Sequence, residues 1–288
     1  MKILVAIPHF FGPAAAPEHA SQANDSARRI RALSTCISSL HQVFGRPQVI
    51  GLREQPLSPA GEMLTHEIDV VVCTTGGHHL LDDLPLPAKK YVHHPTDAEP
   101  MLLGFECHAL LRDALGGYDY YCFLEDDLIL HDPFFFTKLA WFTRAVGKDA
   151  VLHPNRYEIT TSGEIWKAYI DGKIVAGYTK PWQDIGEQPN LGGSMLGQQL
   201  EFHRASNPHS GCFFLDAEQM ADWAGRPWFL DRDTSFVGPL ESAATLGLMR
   251  SFRVYKPAAA VAGFLEIQHF GSAHLDAMVE FQKKATAS

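Results

Sequence analysis

The sequence predicts an α/β chain, with an open, mostly parallel central sheet flanked by helices and a smaller β- and loop-rich region at its side. Three observations predict it. Residues 2–7 (KILVAI), 67–75 (EIDVVVCTT) and 118–124 (YDYYCFL) are near-continuous apolar runs, which suit strands covered on both faces. Segments of helical periodicity lie between them, and strand–helix alternation builds parallel sheets. Beyond about residue 150 the pattern changes to short β-prone pieces separated by turn residues.

In order along the chain, the first strand is closed by Pro8. Pro13 to Pro17 reads as a loop. Residues 26–43 place Ile30, Leu33, Ile37 and Leu40 on one helical face. Short strands are expected at 48–52 and 90–93. Residues 100–115 read as a helix stopped by Gly116-Gly117. A hairpin is expected within 150–175, turning at Ser162-Gly163 and Asp171-Gly172. Residues 180–208, rich in Gly, Pro, Gln and Asn, read as a long loop, and the Gly-rich piece at 191–194 as a lid. Then follow a strand at 210–215, helices at 217–224 and 241–248, a strand at 253–257 and a C-terminal helix after His274.

The 288 residues are enough for one large α/β domain. The net charge of −9 argues against a nucleic-acid surface, which needs a basic excess. Five cysteines without a CxxC pair indicate buried free thiols rather than a zinc or disulfide framework. No apolar run approaches the ~20 residues of a membrane span. The expectation is a cytoplasmic chain, with peripheral contact at the inner face of a membrane left open.

The most informative stretch is 118–136, YDYYCFLEDDLILHDPFFF, where a strand ends in Glu125-Asp126-Asp127. Three adjacent carboxylates at the end of a buried strand repel one another and call for a cation. A divalent Mn²⁺ or Mg²⁺ holding a diphosphate would supply it, since hard cations take carboxylate and phosphate oxygens. Ligands of open α/β sheets bind beyond the carboxyl ends of the strands. Pro8, His9 and Phe10 occupy one such end, and Thr74 and Thr75 another.

With these residues in view, the chain resembles GT-A fold glycosyltransferases, Rossmann-like enzymes that use nucleotide-sugar donors. Glu125-Asp126-Asp127 is similar to their DxD motif in its EDD form. Glu241-Ser242, opening a helix before Arg253-Val254-Tyr255-Lys256-Pro257, is similar to the ED pair and following strand of the large bacterial family 2. Here Ser stands where the usual second carboxylate would be. The resemblance covers most of the chain, from Lys2 to about Gly271. It implies one GT-A domain: 1–127 binding the nucleotide sugar, 128–275 binding the acceptor and carrying catalysis, and 276–288 a tail.

The same resemblance implies a metal held by Asp127, with Asp126 second and His269 completing the shell. Donor contacts would come from Pro8, His9, Phe10, Thr74, Thr75, Glu125, Asp126 and Arg156. His203, His209, Ser210 and Gly211 would line the sugar or acceptor pocket. Glu241 would be the base of an inverting reaction, transferring a sugar from a UDP-linked or other nucleotide donor to a saccharide, lipid-linked or protein acceptor. Two other readings fit the same residues: a nucleotidyltransferase-type phosphate and metal enzyme, or a GT-A-like protein that binds sugars without turnover.

Overall fold

The computed structural model describes residues 1–12, 25–175 and 177–286. The loop expected at Pro13 to Pro17 lies outside these residues. The described chain is a mixed α/β protein with a parallel-rich central sheet flanked by helices. The strands are β1 (Lys2–Pro8), β2 (Gln48–Ile50), β3 (Ser58–Ala60), β4 (Glu67–Thr75), β5 (Val92–Thr96), β6 (Tyr120–Leu124), β7 (Leu128–Ile129), β8 (Ala150–Leu152), β9 (Asn155–Ile159), β10 (Lys167–Tyr169), β11 (Asn190–Met195), β12 (Gln198–Arg204), β13 (Cys212–Asp216), β14 (Arg253–Pro257) and β15 (Glu266–His269). The helices are α1 (Ser26–Phe44), α2 (Leu103–Asp113), α3 (Phe135–Val146), α4 (Ala217–Ala224), α5 (Pro239–Glu241), α6 (Gly247–Met249) and α7 (Ala273–Thr286), with a π-helical turn, Ser242–Leu246, between α5 and α6.

The central sheet has the order β13-β6-β1-β4-β5. β6, β1, β4 and β5 run parallel, and β13 adds antiparallel to β6 at the edge. Alternation along β1 feeds two cores. Ile3, Val5 and Ile7 pack with the apolar faces of α1 and α3, while Leu4 and Ala6 pack with α2, α4 and the π turn. Both sheet faces are therefore dry, which is why these strands read as unbroken apolar runs. α1 starts where the Asp25 side chain accepts the Arg28 N–H at 2.8 Å.

Two smaller sheets stand beside the central one, ordered β10-β9-β15-β7 and β11-β12-β14-β8. In the first, β15 is central: it pairs parallel with β9 and antiparallel with β7, the strand that immediately follows the acidic triplet. This arrangement carries residues from three separated stretches to the end of β6.

Besides the short strands β3, β7 and β15, which were not expected, two larger regions differ from the expectation. The run after the triplet contains a full helix, α3, whose Phe135, Phe136, Leu139 and Phe142 are buried. The consecutive Phe residues hid its period. Within the expected loop at 180–208, β11 and β12 form a hairpin joined by Leu196-Gly197, both at positive φ. That two-residue geometry suits a tight hairpin turn, and the half-exposed strands kept their apolar content low. The Gly-rich piece at 191–194 is thus part of β11 rather than a lid. All five cysteines are buried and unpaired. No helix among the described residues is long and apolar enough to cross a membrane.

His108 of α2 is fully buried, and its Nε2 lies 2.9 Å from the Ala243 carbonyl in the π turn. Burial pushes its pKa down to about 4 against the pull of that bond. His153 is pushed down to about 4 in the same way, with the Pro208 carbonyl opposing. Below the unfolded value of 6.5 the unfolded chain binds protons that the fold refuses, so this contribution is whole above pH 6.5 and is lost as pH falls toward 4. Urea unfolding of the wild type should lose about 2 kcal/mol per such histidine between pH 7 and pH 5. His108→Gln, which keeps a donor for Ala243, should show a smaller loss over the same interval.

Candidate functional site

Glu125, Asp126 and Asp127 leave the end of β6 in three directions, and each meets a different partner. Asp126 is buried. Arg29 of α1 contacts both of its oxygens, at 2.6 Å and 2.5 Å. His9, fully buried just past β1, places Nδ1 2.6 Å from Oδ2. The other His9 nitrogen accepts the Leu80 N–H at 3.2 Å, so Nδ1 carries the proton and donates to Asp126. Asp126 and His9, expected at the metal or the donor, are thus engaged with each other and with Arg29.

Asp127 is placed differently. Its Oδ2 lies 3.4 Å from His269 Nε2 and 3.8 Å from Arg29 Nη1, while its buried Oδ1 has no partner. Burial disfavours its ionisation, but His269, with Arg29 and Arg156 behind it, holds the carboxyl well below the ordinary range. His269 in turn is raised to about 10, since Asp127 and Glu158 outweigh its burial. Its Nδ1 is 2.8 Å from Glu158 Oε1.

Glu125 points toward Arg156 Nη1 and His209 Nε2, each at 4.0 Å. Burial, and then the nearby Asp127 and Glu241, push its pKa up to about 8, with Arg156 opposing. Gly211, at φ +64°, makes room for it: a Cβ there would stand 2.5 Å from Glu125 Oε2. Arg156 is fixed from behind by Asp171, which its Nε and Nη2 meet at 2.9 Å and 2.8 Å. Asp171 also takes the buried Lys256 ammonium at 2.8 Å.

Glu241 lies in α5, at the start of the π turn. Its Oε2 is buried without a partner, and it is close enough to help raise Glu125. Ser242, where a second carboxylate was expected, is buried. Its Oγ donates to the Phe236 carbonyl at 3.0 Å and accepts the Phe236 N–H at 3.1 Å. π turns recur at functional sites. Here His108 and His209 hold the turn: His209 Nδ1 is 3.1 Å from Thr245 Oγ1.

The structure therefore gathers Glu125, Asp127, Arg156, His209, Gly211, Glu241 and His269 in one place. Other expected residues serve the fold. Thr74 Oγ1 bonds His93 at 2.8 Å, Thr75 bonds the Ala98 carbonyl, and Ser210 Oγ donates to the Pro154 carbonyl at 2.7 Å. Pro8 is buried at the end of β1. His203 sits on β12 opposite Asn190 and Lys256, with no bond to the acidic group among the described residues. Phe10 lies against His78, with ring centroids 5.5 Å apart and the rings tilted, and remains partly exposed near the sheet end. Arg29, Glu158 and Asp171 were given no place at the site in the sequence reading. Arg29 left a signal: Arg28, Arg29 and Arg31 crowd the start of α1, where the helix dipole disfavours cations.

The donor set fits a divalent ion. A buried carboxylate oxygen without a partner stands beside an imidazole nitrogen whose opposite nitrogen is engaged, all at the end of a central strand. A separate cleft of about 610 Å³, bounded in part by Lys138, Met195, Leu196 and Phe264, shares no residue with this group.

Comparisons with known proteins add little. No protein family matches the chain, and no curated protein does. Among solved structures, the crystal structure of S. aureus TarS is similar at a TM-score of 0.44 with 8% identity, covering 94% of this chain and 37% of that one. The chain thus spans well under half of that structure's length, and the functional reading rests on the side chains.

Arg29 is the test of how Asp126 is used. Arg29→Met should cost about 3–5 kcal/mol in urea unfolding, because it leaves a buried carboxylate without its cation and with only the His9 hydrogen bond. Arg29→Met combined with Asp126→Leu should recover much of that loss.

Proposed function

We propose that the protein is a metal-dependent, inverting glycosyltransferase, moving a sugar from a nucleotide-sugar donor, UDP-linked in the first instance, to a saccharide, lipid-linked or protein acceptor. The observation that carries this reading is the pair of buried, partnerless carboxylate oxygens, Asp127 Oδ1 and Glu241 Oε2, flanking one acidic and basic cluster at the end of β6. A protein seldom leaves such atoms unmet unless water, an ion or a ligand meets them.

In this reading Asp127 and His269 would hold Mn²⁺ or Mg²⁺. The ion would offset the charge on the departing diphosphate. Arg156, locked by Asp171, adds a fixed positive charge near the same place, and a preset charge costs no reorganisation during reaction. Glu125, with its raised affinity for a proton, is suited to hydrogen-bond a sugar hydroxyl. Glu241 takes the proton of the acceptor hydroxyl as that oxygen bonds to the anomeric carbon. The bond from that carbon to the diphosphate breaks, and the electron pair leaves with the diphosphate. Phe10 and His78, at the neighbouring strand ends, offer aromatic surface for a base.

One observation favours a second reading. Arg29, Arg156 and His269 already answer the triplet, as a sugar- or phosphate-binding protein without turnover would require. Donor hydrolysis separates the two. With a panel of nucleotide sugars and Mn²⁺, the wild type should turn over at least one donor. Asp127→Ala should abolish the metal dependence. Glu241→Gln should keep donor binding and lower kcat by about 10²–10⁴-fold in transfer to an acceptor. Donor binding without turnover in the wild type would establish the second reading instead.

A further inference from the structure

The sheet β10-β9-β15-β7 sets Glu158 of β9, His269 of β15 and Asp127, the residue before β7, side by side. β15 pairs with β7 through His269 and Leu128, the residue after Asp127, and the Phe270 N–H donates to the Asp127 carbonyl at 2.8 Å. On its other side β15 runs parallel to β9, with Gln268 opposite Tyr157, one step short of His269 and Glu158. Arg156 and Glu158, two apart on β9, project to the same face. One meets the end of β6, and the other meets His269.

Glu158 is fully buried, and both of its oxygens are used. Oε1 faces His269 Nδ1 at 2.8 Å, and Oε2 accepts the Leu275 N–H in the first turn of α7 at 2.8 Å. A carboxylate with no proton of its own can only accept, so the His269 nitrogen facing it must be the protonated one. That leaves Nε2, the nitrogen aimed at Asp127, as the one that can give up its proton and turn a lone pair to an ion. Full burial of a carboxylate is costly, and capping a helix alone does not require one, since a Ser or Asn side chain serves.

We propose that Glu158 is a positioning residue for a divalent cation: it fixes the tautomer and the ring orientation of His269, so that Nε2 joins Asp127 in holding the ion, and it ties this orientation to the docking of α7. This rests on the reading of Asp127 and His269 as metal ligands, and the experiment distinguishes the two. Carboxylates behind metal-bound histidines typically set affinity by 10–100-fold.

Mn²⁺ titration followed by electron paramagnetic resonance, without donor or acceptor, reads the affinity directly. Thermal unfolding of the same metal-free samples reads the fold. Glu158→Gln should weaken Mn²⁺ binding by about 10–100-fold, because one of the two facing donors must then meet an amide NH₂. Glu158→Asp, which keeps the acceptor but shortens its reach, should fall between the wild type and Glu158→Gln while remaining folded. In ¹⁵N correlation spectra of the Mg²⁺-bound protein, the His269 proton should sit on Nδ1 in the wild type and lose that preference in Glu158→Gln. If both variants bind Mn²⁺ within about twofold of the wild type while His269→Ala binds poorly, Glu158 only caps α7 and the proposal is overturned. If the wild type binds no Mn²⁺, or His269→Ala and Asp127→Asn bind it as the wild type does, the metal reading itself falls, and this proposal falls with it.

Discussion

The structure depends on how three adjacent carboxylates at the end of one buried strand are answered. Left alone, Glu125, Asp126 and Asp127 would repel one another in a poorly solvated place. Each is met by a different part of the chain: Asp126 by Arg29 of α1 and His9 after β1, Asp127 by His269 of β15, and Glu125, at longer reach, by Arg156 of β9. These contacts bind the central sheet, its first helix and the neighbouring small sheet together. A motif that reads as one unit in the sequence is divided in the fold. Its middle residue is tied to α1 and to the end of β1, while Asp127 keeps one buried oxygen without a partner and Glu125 meets its cations only at 4.0 Å.

A second tier of buried charge keeps the first in place. Arg156 points at Glu125 because Asp171 grips its guanidinium, and Asp171 tolerates burial because it also receives Lys256. Glu158 does the same for His269. Buried ion pairs of this kind add little to stability over apolar packing, and removing one partner is expensive. Their value lies in fixing direction. A cation held on two sides cannot swing away to neutralise whichever acid is nearest, and so Asp127 Oδ1 and Glu241 Oε2 can stay without partners.

What the sequence revealed follows from the range of each signal. β1, β4 and β6 were legible because strands buried on both faces are apolar throughout, and α1 because its buried residues recur at helical spacing. α3 was hidden by its own apolar density, and β11–β12 by exposed, glycine-rich strands whose pairing is made by backbone rather than side chains. At the site, the triplet, Glu241 and His269 could be named from local motifs. Their partners could not: Arg29 and Asp126 lie 97 positions apart, Glu158 and His269 lie 111 apart, and His9 and Asp126 lie 117 apart. No local pattern reports a contact of that separation. An arginine at a helix start, where the dipole opposes it, was the one trace available.

The Glu241-Ser242 pair shows how a departure from an expected pattern can be structural in origin. Ser242 closes the segment from Phe236 by giving its hydroxyl proton to one backbone group and accepting from another. An ionised carboxylate at 242 could accept the Phe236 N–H, but its other contact would be the Phe236 carbonyl, an acceptor facing an acceptor. With burial near complete, that carboxylate would lack both water and a donor. A hydroxyl, which is donor and acceptor at once, suits the place. The π turn then begins at Ser242, held by His108 from one side and His209 from the other, and it leaves Glu241 as the carboxylate of the pair aimed toward Glu125. A serine at 242 is therefore compatible with the base role proposed for Glu241, because Ser242 holds the turn on which Glu241 stands.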